Sequence, residues 1–189
     1  KDNEIEFDYK GIKYKVKKPT FIQKSKVNQE KNKKYISLIK DSSNLLEDDL
    51  ISLYKSRGID IKDIDNNYDS LENRKKDYSN KLGKAIVENK TKEDLDIFKN
   101  EITKIVSEQQ DLMIKKAVLL DCSIESQINV FVYTYLAFLI VESIISQDGI
   151  VTSIAPFSSY GEFLDQEEGL VNTIVWYTTL ISRNEFPTV

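Results

Sequence analysis

The adjacent carboxylates of the sequence are the side chains whose type and spacing could do acid-base chemistry. With no histidine among the 189 residues, proton transfer would fall to carboxylates, lysine or tyrosine. Neighbouring residues do not share a helix face, and each acidic pair stands where a helix is expected to begin, a position that favours negative charge. We therefore predict no catalytic residue and no enzymatic activity. The pairs are Asp48-Asp49, Glu93-Asp94 and Glu167-Glu168.

Two further groups of side chains resemble metal-binding or nucleophilic patterns. Asp60, Asp63 and Asp65 alternate like calcium ligands, but the glycine and the closing glutamate of an EF-hand loop are missing at the required spacing, so a helix start is the favoured interpretation. Cys122 is the single cysteine and has no base beside it, so we expect a packing residue. Histidine-ligated zinc, cysteine zinc ribbons and disulfides within the chain are excluded, and we predict no metal and no cofactor.

The charge of the chain is distributed unevenly from end to end. Residues 1–40 carry twelve basic and five acidic side chains, a balance of +7, whereas residues 121–189 carry one basic and nine acidic side chains, a balance of −8. Either the two ends attract each other within one fold or oligomer, or the basic end meets an acidic partner, nucleic acid included. The first interpretation is favoured. The length suits one globular domain, or one domain with an appendage.

Alternating apolar and charged residues at the start of the chain predict a β-hairpin around a two-residue loop, Lys10-Gly11. In that register the apolar residues of both strands share one face, and opposite charges pair on the other. Gly11 supplies the positive φ of a primed turn. A lone hairpin is marginal in water, so this one must pack on another element or gain strands from a partner. Its apolar positions are Ile5, Phe7, Tyr9, Ile12, Tyr14 and Val16.

The segment after the hairpin predicts two helices. Thr20 is the expected cap of a lysine-rich helix over 21–40 with a sparse apolar stripe. Its lysines are interpreted as a solvated face, because no aromatic or glycine pattern of a nucleic-acid module accompanies them. A shorter helix follows, with Asn44 as its expected cap and Arg57-Gly58 as its stop. The stripe of the first helix consists of Phe21, Val27, Tyr35, Ile36, Leu38 and Ile39.

The middle of the chain carries the longest regular pattern. Mostly apolar residues recur at alternating spacings of three and four over 61–85 and again over 95–116. Two heptad-patterned helices joined by a short polar turn predict an antiparallel helical hairpin, close to a two-stranded coiled coil. Lys75 and Gln109 fall on the expected seam and are predicted to weaken it.

From residue 117 onward the chain becomes strongly apolar. A buried helix is expected over residues 128–147, with a stop at Gln147-Asp148-Gly149. Its longest uninterrupted apolar run, Val130–Val141, falls short of the roughly 18–20 residues that a bilayer core requires, so no membrane span is predicted. Within the helix, Glu142 either pairs with a lysine from the first half of the chain or lies on a solvent-facing edge. The chain opens without an initiator methionine or a secretory signal, so we expect a trimmed or incomplete start.

The last forty residues predict short elements. Residues 150–154 form either a strand or an irregular crossing, and a short helix over 158–165 precedes a last helix near 170–182. Trp176 belongs to the apolar residues of that last helix, which are expected to be buried, and residues 184–189 form a tail. These apolar helices need more covering surface than the hydrophilic middle offers, which favours an oligomer or a hydrophobic client.

These patterns predict a mainly α fold with a small β component: an N-terminal β-hairpin, an antiparallel helical hairpin and apolar C-terminal helices. The expected parts are 1–58, the β-hairpin with two helices; 59–116, the helical-hairpin arm; and 117–189, an apolar helical core segment that forms one domain with 1–58. We expect homo- or hetero-oligomers, and aromatic side chains as the protein-interaction residues. The candidates are Phe7, Tyr9, Tyr14, Phe131, Tyr135, Phe138 and Trp176.

The opening Glu4–Thr20, EIEFDYKGIKYKVKKPT, resembles the start of tail assembly chaperones and other tail proteins of long-tailed bacteriophages. In those proteins an aromatic strand, a glycine turn, a tyrosine-containing strand and a Lys-Pro-Thr exit precede a polar helix. The order that follows is also similar: a short helix, a charged helical hairpin, then an apolar helix with a cysteine and tyrosines (Cys122, Tyr133, Tyr135). The segment Ser158–Leu164, SSYGEFL, resembles the serine-led, acidic-aromatic stretch that comes next.

The resemblance implies a non-enzymatic helper that holds an aggregation-prone tail component, such as the tape measure protein, until the tube polymerises around it. Its partners would be other phage tail proteins, and its location the bacterial host cytoplasm during assembly. A first alternative is a permanent structural subunit of the tail, the baseplate or the head-tail connection, located in the virion. A second and less favoured alternative is a nucleic-acid-associated protein that uses the basic N-terminal segment.

Overall fold

The computed structural model describes residues 4–147 and 150–183, apart from the side chain of Gln147. The chain divides into two compact units, Lys1–Ser42 with Gln127–Val189 (unit 1) and Ser43–Ser126 (unit 2). Of the described residues, 69% are helical, which confirms the mainly α fold with a small β component. The elements are β1 (Glu4–Tyr9), β2 (Ile12–Lys17), α1 (Phe21–Lys40), α2 (Glu47–Ser56), α3 (Ile61–Val87), α4 (Lys92–Leu120), α5 (Ile124–Ile140), β3 (Val141–Gln147), β4 (Ile150–Ile154), α6 (Tyr160–Leu164) and α7 (Glu168–Ser182).

The N-terminal β-hairpin of unit 1 has the predicted register. β1 and β2 pair antiparallel across the two-residue loop Lys10-Gly11. Lys10 and Gly11 both have positive φ, 48° and 82°, as a type I′ turn requires, and the twist of that turn matches the twist of the strands. The apolar residues of both strands therefore share one face of the sheet. The pairs run from Glu4 with Lys17, through Phe7 with Tyr14, to Tyr9 with Ile12.

The apolar helix is shorter than the sequence predicts. α5 ends at Ile140, and Val141–Gln147 is a strand that pairs antiparallel with β2. The segment contains several β-branched residues, and its pairing completes the ladder on the open side of β2, so tertiary pairing overrides helical continuation. Asp148 and Gly149, two residues of the expected helix stop, lie outside the described residues, as does the expected tail 184–189.

β4 adds a fourth strand to the sheet. The sequence is compatible with either a strand or an irregular crossing at residues 150–154. In the structure these residues form a strand that pairs antiparallel with β3. The resulting strand order is β1-β2-β3-β4. The β-hairpin therefore gains strands from its own chain, and it also contacts α7.

The core of unit 1 joins the apolar face of the sheet to the C-terminal helices. On α7 the buried residues recur at helical spacing, at positions 170, 174, 178 and 181. α1 is tied to this body near its start, where Gln23 Nε2 donates to the backbone oxygen of Leu139 at 2.8 Å. Thr20 caps α1 as predicted. The buried core residues are Ile5, Tyr14, Val16, Val27, Leu136, Ala137, Ile140, Val141, Phe157, Phe163, Leu170, Ile174 and Ile181.

In unit 2 the short helix α2 is capped differently from the prediction. Leu46, rather than Asn44, is the N-cap residue, and its side chain makes no capping hydrogen bond. Instead, a carboxylate oxygen of Glu125 accepts a hydrogen bond from the backbone N–H of Glu47 at 2.8 Å. This carboxylate satisfies a free N–H group and also complements the positive end of the helix dipole, so the asparagine is not needed as a cap.

The predicted antiparallel helical hairpin is present in unit 2. α3 and α4 pack against each other, and side-chain contacts such as Lys116 Nζ to Asp65 Oδ1, at 2.6 Å, join the start of α3 to the end of α4. Every predicted seam position is buried or partly buried. The stricter coiled-coil geometry stays a prediction. The seam positions are Ile61, Ile64, Tyr68, Leu71, Lys75, Tyr78, Leu82 and Ala85 on α3, and Leu95, Phe98, Ile102, Ile105, Gln109, Leu112 and Lys116 on α4.

Lys75 and Gln109, two polar residues of the seam, contact each other across the helical hairpin. Lys75 Nζ donates to Gln109 Oε1 at 3.3 Å, and Gln109 Nε2 donates to Glu72 Oε2 at 3.0 Å. Lys75 also pairs with Glu72. The hydrogen bond that Glu72 accepts from Lys75, the largest cause, and the one that it accepts from Gln109 lower the pKa of the Glu72 carboxyl. Polar groups at a helix interface that form their hydrogen bonds in only one alignment of the two helices favour that alignment over others.

The boundaries of the two units fall at residues 42/43 and 126/127. The sequence suggests boundaries at 58/59 and 116/117. α2 and the last turn of α4 lie in unit 2, because Leu50, Ile61 and Leu120 form one buried cluster there. The second boundary lies inside the first turn of α5.

Charging the apolar face of the β-hairpin should destabilise unit 1. The Phe7 ring stacks on Tyr14 and Tyr177, with centroids 5.5 Å and 4.9 Å away. Phe7→Lys removes both contacts and should lower the free energy of unfolding by about 3 kcal/mol. Lys13→Glu, on the exposed face of the same hairpin, is the control and should cost less than about 1 kcal/mol. Urea unfolding measures both, and equal losses would contradict the assigned faces.

Truncating Gln109 should weaken the helical hairpin. Only 5% of Gln109 is exposed, and its amide group bonds to both Lys75 and Glu72, so Gln109→Ala should lower the free energy of unfolding by about 1–2 kcal/mol. Gln110→Ala, at the exposed neighbouring position, should change it by less than about 0.5 kcal/mol. Thermal unfolding compares the two variants. Identical melting temperatures would show that the buried amide does not stabilise the seam.

Candidate interaction surface

The three candidate residues of the β-hairpin pack against other residues of unit 1. Phe7 and Tyr14 stack on each other, and Phe7 also stacks on Tyr177 of α7. Tyr9 packs against the same core. A Cβ atom on Gly169 would lie 2.7 Å from the Tyr9 hydroxyl, so this tyrosine depends on glycine at the start of α7. These three rings hold the sheet on α7.

The three candidate residues of α5 also contact rings of their own unit. Phe131 stacks on Tyr135 with centroids 5.4 Å apart, and Tyr160 of α6 meets the edges of both rings. The ring centroid of Phe138 lies 5.9 Å from that of Tyr160. The Tyr160 hydroxyl forms a 2.6 Å hydrogen bond with Thr134, and burial raises the pKa of this tyrosine. This cluster attaches α6 to α5.

Trp176 differs from the other six candidates, because 61% of it is exposed. The expectation that it is buried was wrong. Helical spacing places Leu170, Ile174 and Ile181 on the inner face of α7, and Trp176 lies on another side. Its exposure leaves it available for contact with another molecule.

α1 presents an apolar surface that is separate from its core-facing side, although the sequence predicts a single apolar stripe for this helix. Val27 and Leu38 are buried, but the other residues of the predicted stripe are exposed. At roughly 100° per residue, the buried and the exposed sets fall on different sides of the helix. Phe21 is 86% exposed and Ile22 78% exposed. The exposed set, which we call the α1 stripe, is Phe21, Ile22, Tyr35, Ile36 and Ile39.

The spacing of residues along α1 contains the signal for this surface. Phe21 and Ile39 are eighteen residues apart, which is five turns at about 3.6 residues a turn, so both point the same way. Between them the same side carries Ser25, Asn28 and Asn32, which are uncharged. The apolar residues of α1 therefore fall on two sides of the helix, which its sequence alone already indicates.

Lysine side chains border the α1 stripe on both sides. Lys24 and Lys31 lie along one border, and Lys26, Lys33 and Lys40 along the other, each spaced by seven residues. All five are exposed. Among the described ion pairs, one involves a lysine of α1: Lys33 Nζ lies 2.7 Å from Oε1 of Glu30, the single glutamate of the helix. The surface is therefore apolar at its two ends and positively charged along its edges.

The basic start and the acidic end of the chain meet within unit 1. Lys17 Nζ lies 2.7 Å from Glu142 Oε1, and Lys15 Nζ lies 3.6 Å from Glu142 Oε2. At the hairpin loop Lys10 pairs with Glu167 at 2.5 Å, and this hydrogen bond raises the pKa of the lysine and lowers the pKa of the glutamate. The interpretation that the two ends attract each other within one fold is confirmed, and so is the lysine pairing of Glu142.

The remaining acidic candidates lie at helix starts, as predicted. Asp60 caps α3 by accepting a hydrogen bond from the backbone N–H of Lys62 at 3.0 Å. Asp63 lies in the first turn of α3, and Asp65 pairs with Lys116. The paired carboxylates likewise occupy the start of α2 (Asp48, Asp49), of α4 (Glu93, Asp94) and of α7 (Glu167, Glu168).

Cys122 is exposed, so its prediction as a packing residue was wrong. It lies in the short turn between α4 and α5. Ser123 and Ile124, the next two residues, are buried instead. No described helix is both long enough and apolar enough to cross a membrane.

No protein-family model, no curated protein and no solved structure matches the chain. The α1 stripe and its lysine borders are accordingly interpreted from their own geometry and charge.

Substitutions at Phe21 and Val27 separate the two sides of α1. Phe21→Ser should change the free energy of unfolding by less than about 0.5 kcal/mol, because the side chain is exposed. Val27→Ser should lower it by about 2–3 kcal/mol, because that side chain is packed in the core of unit 1. Urea unfolding of both variants is the measurement. A loss for Phe21→Ser as large as that for Val27→Ser would show that the stripe is a core face.

Proposed function

We propose that the chain is a non-enzymatic tail assembly protein of a long-tailed bacteriophage, which holds another tail component, such as the tape measure protein, in the host cytoplasm until the tube polymerises. The resemblance of Glu4–Thr20 to tail assembly chaperones supports the phage assignment. The lack of histidine and the structural use of the acidic candidates support a binding role rather than catalysis.

The α1 stripe is the observation that carries this proposal. A helix fixed to the body on one side through Val27 has no need of apolar residues on another side, and exposed apolar surface lowers solubility unless something covers it. Phe21 and Ile22 at one end and Ile36 and Ile39 at the other provide two separate apolar anchor points.

The lysine borders define the chemistry of the client segment. α1 carries six lysines and one glutamate, so it attracts acidic residues and repels basic ones. A helical segment with an apolar stripe and acidic borders would place its apolar residues on the two anchor points and its carboxylates beside Lys24, Lys31 or Lys26. In helix packing of this kind, the contacts are made by side chains three and four residues apart on one face of each helix.

The proposal is tested by co-expressing the chain with the tape measure protein of the same phage and measuring the client retained in solution. We expect the wild type to retain it, and the double variants Ile36→Ser/Ile39→Ser and Lys24→Glu/Lys31→Glu to bind it at least about tenfold more weakly. Val118→Ser, an exposed apolar position of unit 2, is the control and should bind normally.

Four results would contradict the proposal or indicate one of its alternatives. Client that remains insoluble with the wild type, or that binds the α1 variants normally, contradicts it. Stoichiometric, symmetric copies in purified mature particles would instead indicate a permanent structural subunit. Binding to a DNA duplex that weakens with salt and is lost in Lys24→Glu/Lys31→Glu would indicate the nucleic-acid alternative.

A further inference from the structure

β4 is an edge of the sheet at which no other described strand pairs. β3 occupies one side of β4, so alternate backbone N–H and C=O groups on the other side are open to pairing. All five residues of β4 are exposed, and none is charged. Val151, for example, is 67% exposed. An exposed, uncharged strand rich in β-branched residues is a template for another strand.

The opposite edge of the same sheet is protected by charge. β1 carries Glu4, Glu6 and Asp8 on one face. Two antiparallel copies of β1 centred on Glu6 would place Glu6 opposite itself and Glu4 opposite Asp8. Like charges directly opposite each other destabilise a strand pair, and charged edges discourage association. One edge of the sheet therefore resists self-pairing, whereas β4 has no such protection.

β4 is complementary to itself. In two antiparallel copies centred on Thr152, each Thr152 lies opposite its own copy, and Ile150 lies opposite Ile154 of the second copy. Because side chains alternate, these three residues share one face, and the two isoleucine contacts form one apolar group. Ile145, which pairs with Thr152 within the sheet and is itself exposed, extends that group.

We propose that β4 pairs antiparallel with β4 of a second copy of this chain, around a two-fold axis at Thr152. The pairing joins two four-stranded sheets into one of eight strands. Because the contact is the same patch on both copies, the assembly closes at two. This inference goes beyond the proposed function, since it involves β4 and not the α1 stripe.

Charge at Thr152 tests the pairing. Light scattering on an exclusion column should give the wild type twice the 21.9 kDa of one chain. Thr152→Glu and Thr152→Lys each place like charges at the axis and should raise the Kd of the dimer at least about tenfold. An equimolar mixture of these two variants should recover the dimer, because opposite charges then meet. Thr152→Ser is the matched uncharged control and should stay dimeric.

Cross-linking tests the register. Directly opposite residues of antiparallel strands have Cα atoms about 4.5–5.5 Å apart, which a disulfide spans. In a Cys122→Ser background, which removes the exposed native thiol, Thr152→Cys should form a disulfide-linked dimer on oxidation. Lys13→Cys, on the exposed face of β2, is the control and should not.

The outcomes separate this inference from the proposed function. A monomeric wild type, or a dimer whose Kd is unchanged by both charged variants, overturns the β4 pairing. Open-ended oligomers also overturn it, because they indicate head-to-tail contact between different surfaces. Unfolding of the charged variants is excluded by circular dichroism and by recovery of the dimer in the mixture. Client binding by the α1 variants is measured separately, so either conclusion can fail without the other.

Discussion

The pairing of β2 with β3 is the contact on which unit 1 depends. It places a strand from the first twenty residues beside a strand that begins at residue 141, and Glu142 lies between Lys15 and Lys17 across that junction. Without it, β2 would be an open edge, and the β-hairpin would be a two-stranded element of marginal stability. The opposite charges at the two ends of the chain therefore act inside one unit, which carries thirteen basic and thirteen acidic side chains, and the net charge of −4 belongs to unit 2.

Unit 2 is held together in another way. Its helices are consecutive in the chain, and α3 and α4, which one short turn connects, bury a seam between them. The polar group of Glu72, Lys75 and Gln109 interrupts that seam but finds its partners within it. Specificity of alignment here comes from a few hydrogen bonds, whereas in unit 1 it comes from strand register and ring packing.

The sequence predicted the elements whose signal is local. The register of the β-hairpin, the Thr20 cap and every seam position of the helical hairpin follow from residue spacing within a short window. The end of α5 could not be predicted in this way, because Val141–Gln147 forms a strand by pairing with β2, which is far away in the chain. The α1 stripe and Trp176 were misplaced for a related reason, since an apolar residue on a helix does not by itself reveal which side the core will cover.

The strand order of the sheet also constrains how the chain is made. β1 and β2 leave the ribosome before β3, and the strand that covers the open side of β2 emerges more than a hundred residues later, several seconds at translation rates of roughly 5–20 residues per second. During that interval unit 2 can already form its local contacts, whereas the β-hairpin still has an unpaired edge at β2. The β-hairpin is thus exposed to aggregation and to the folding factors of the cell until β3 has been synthesised.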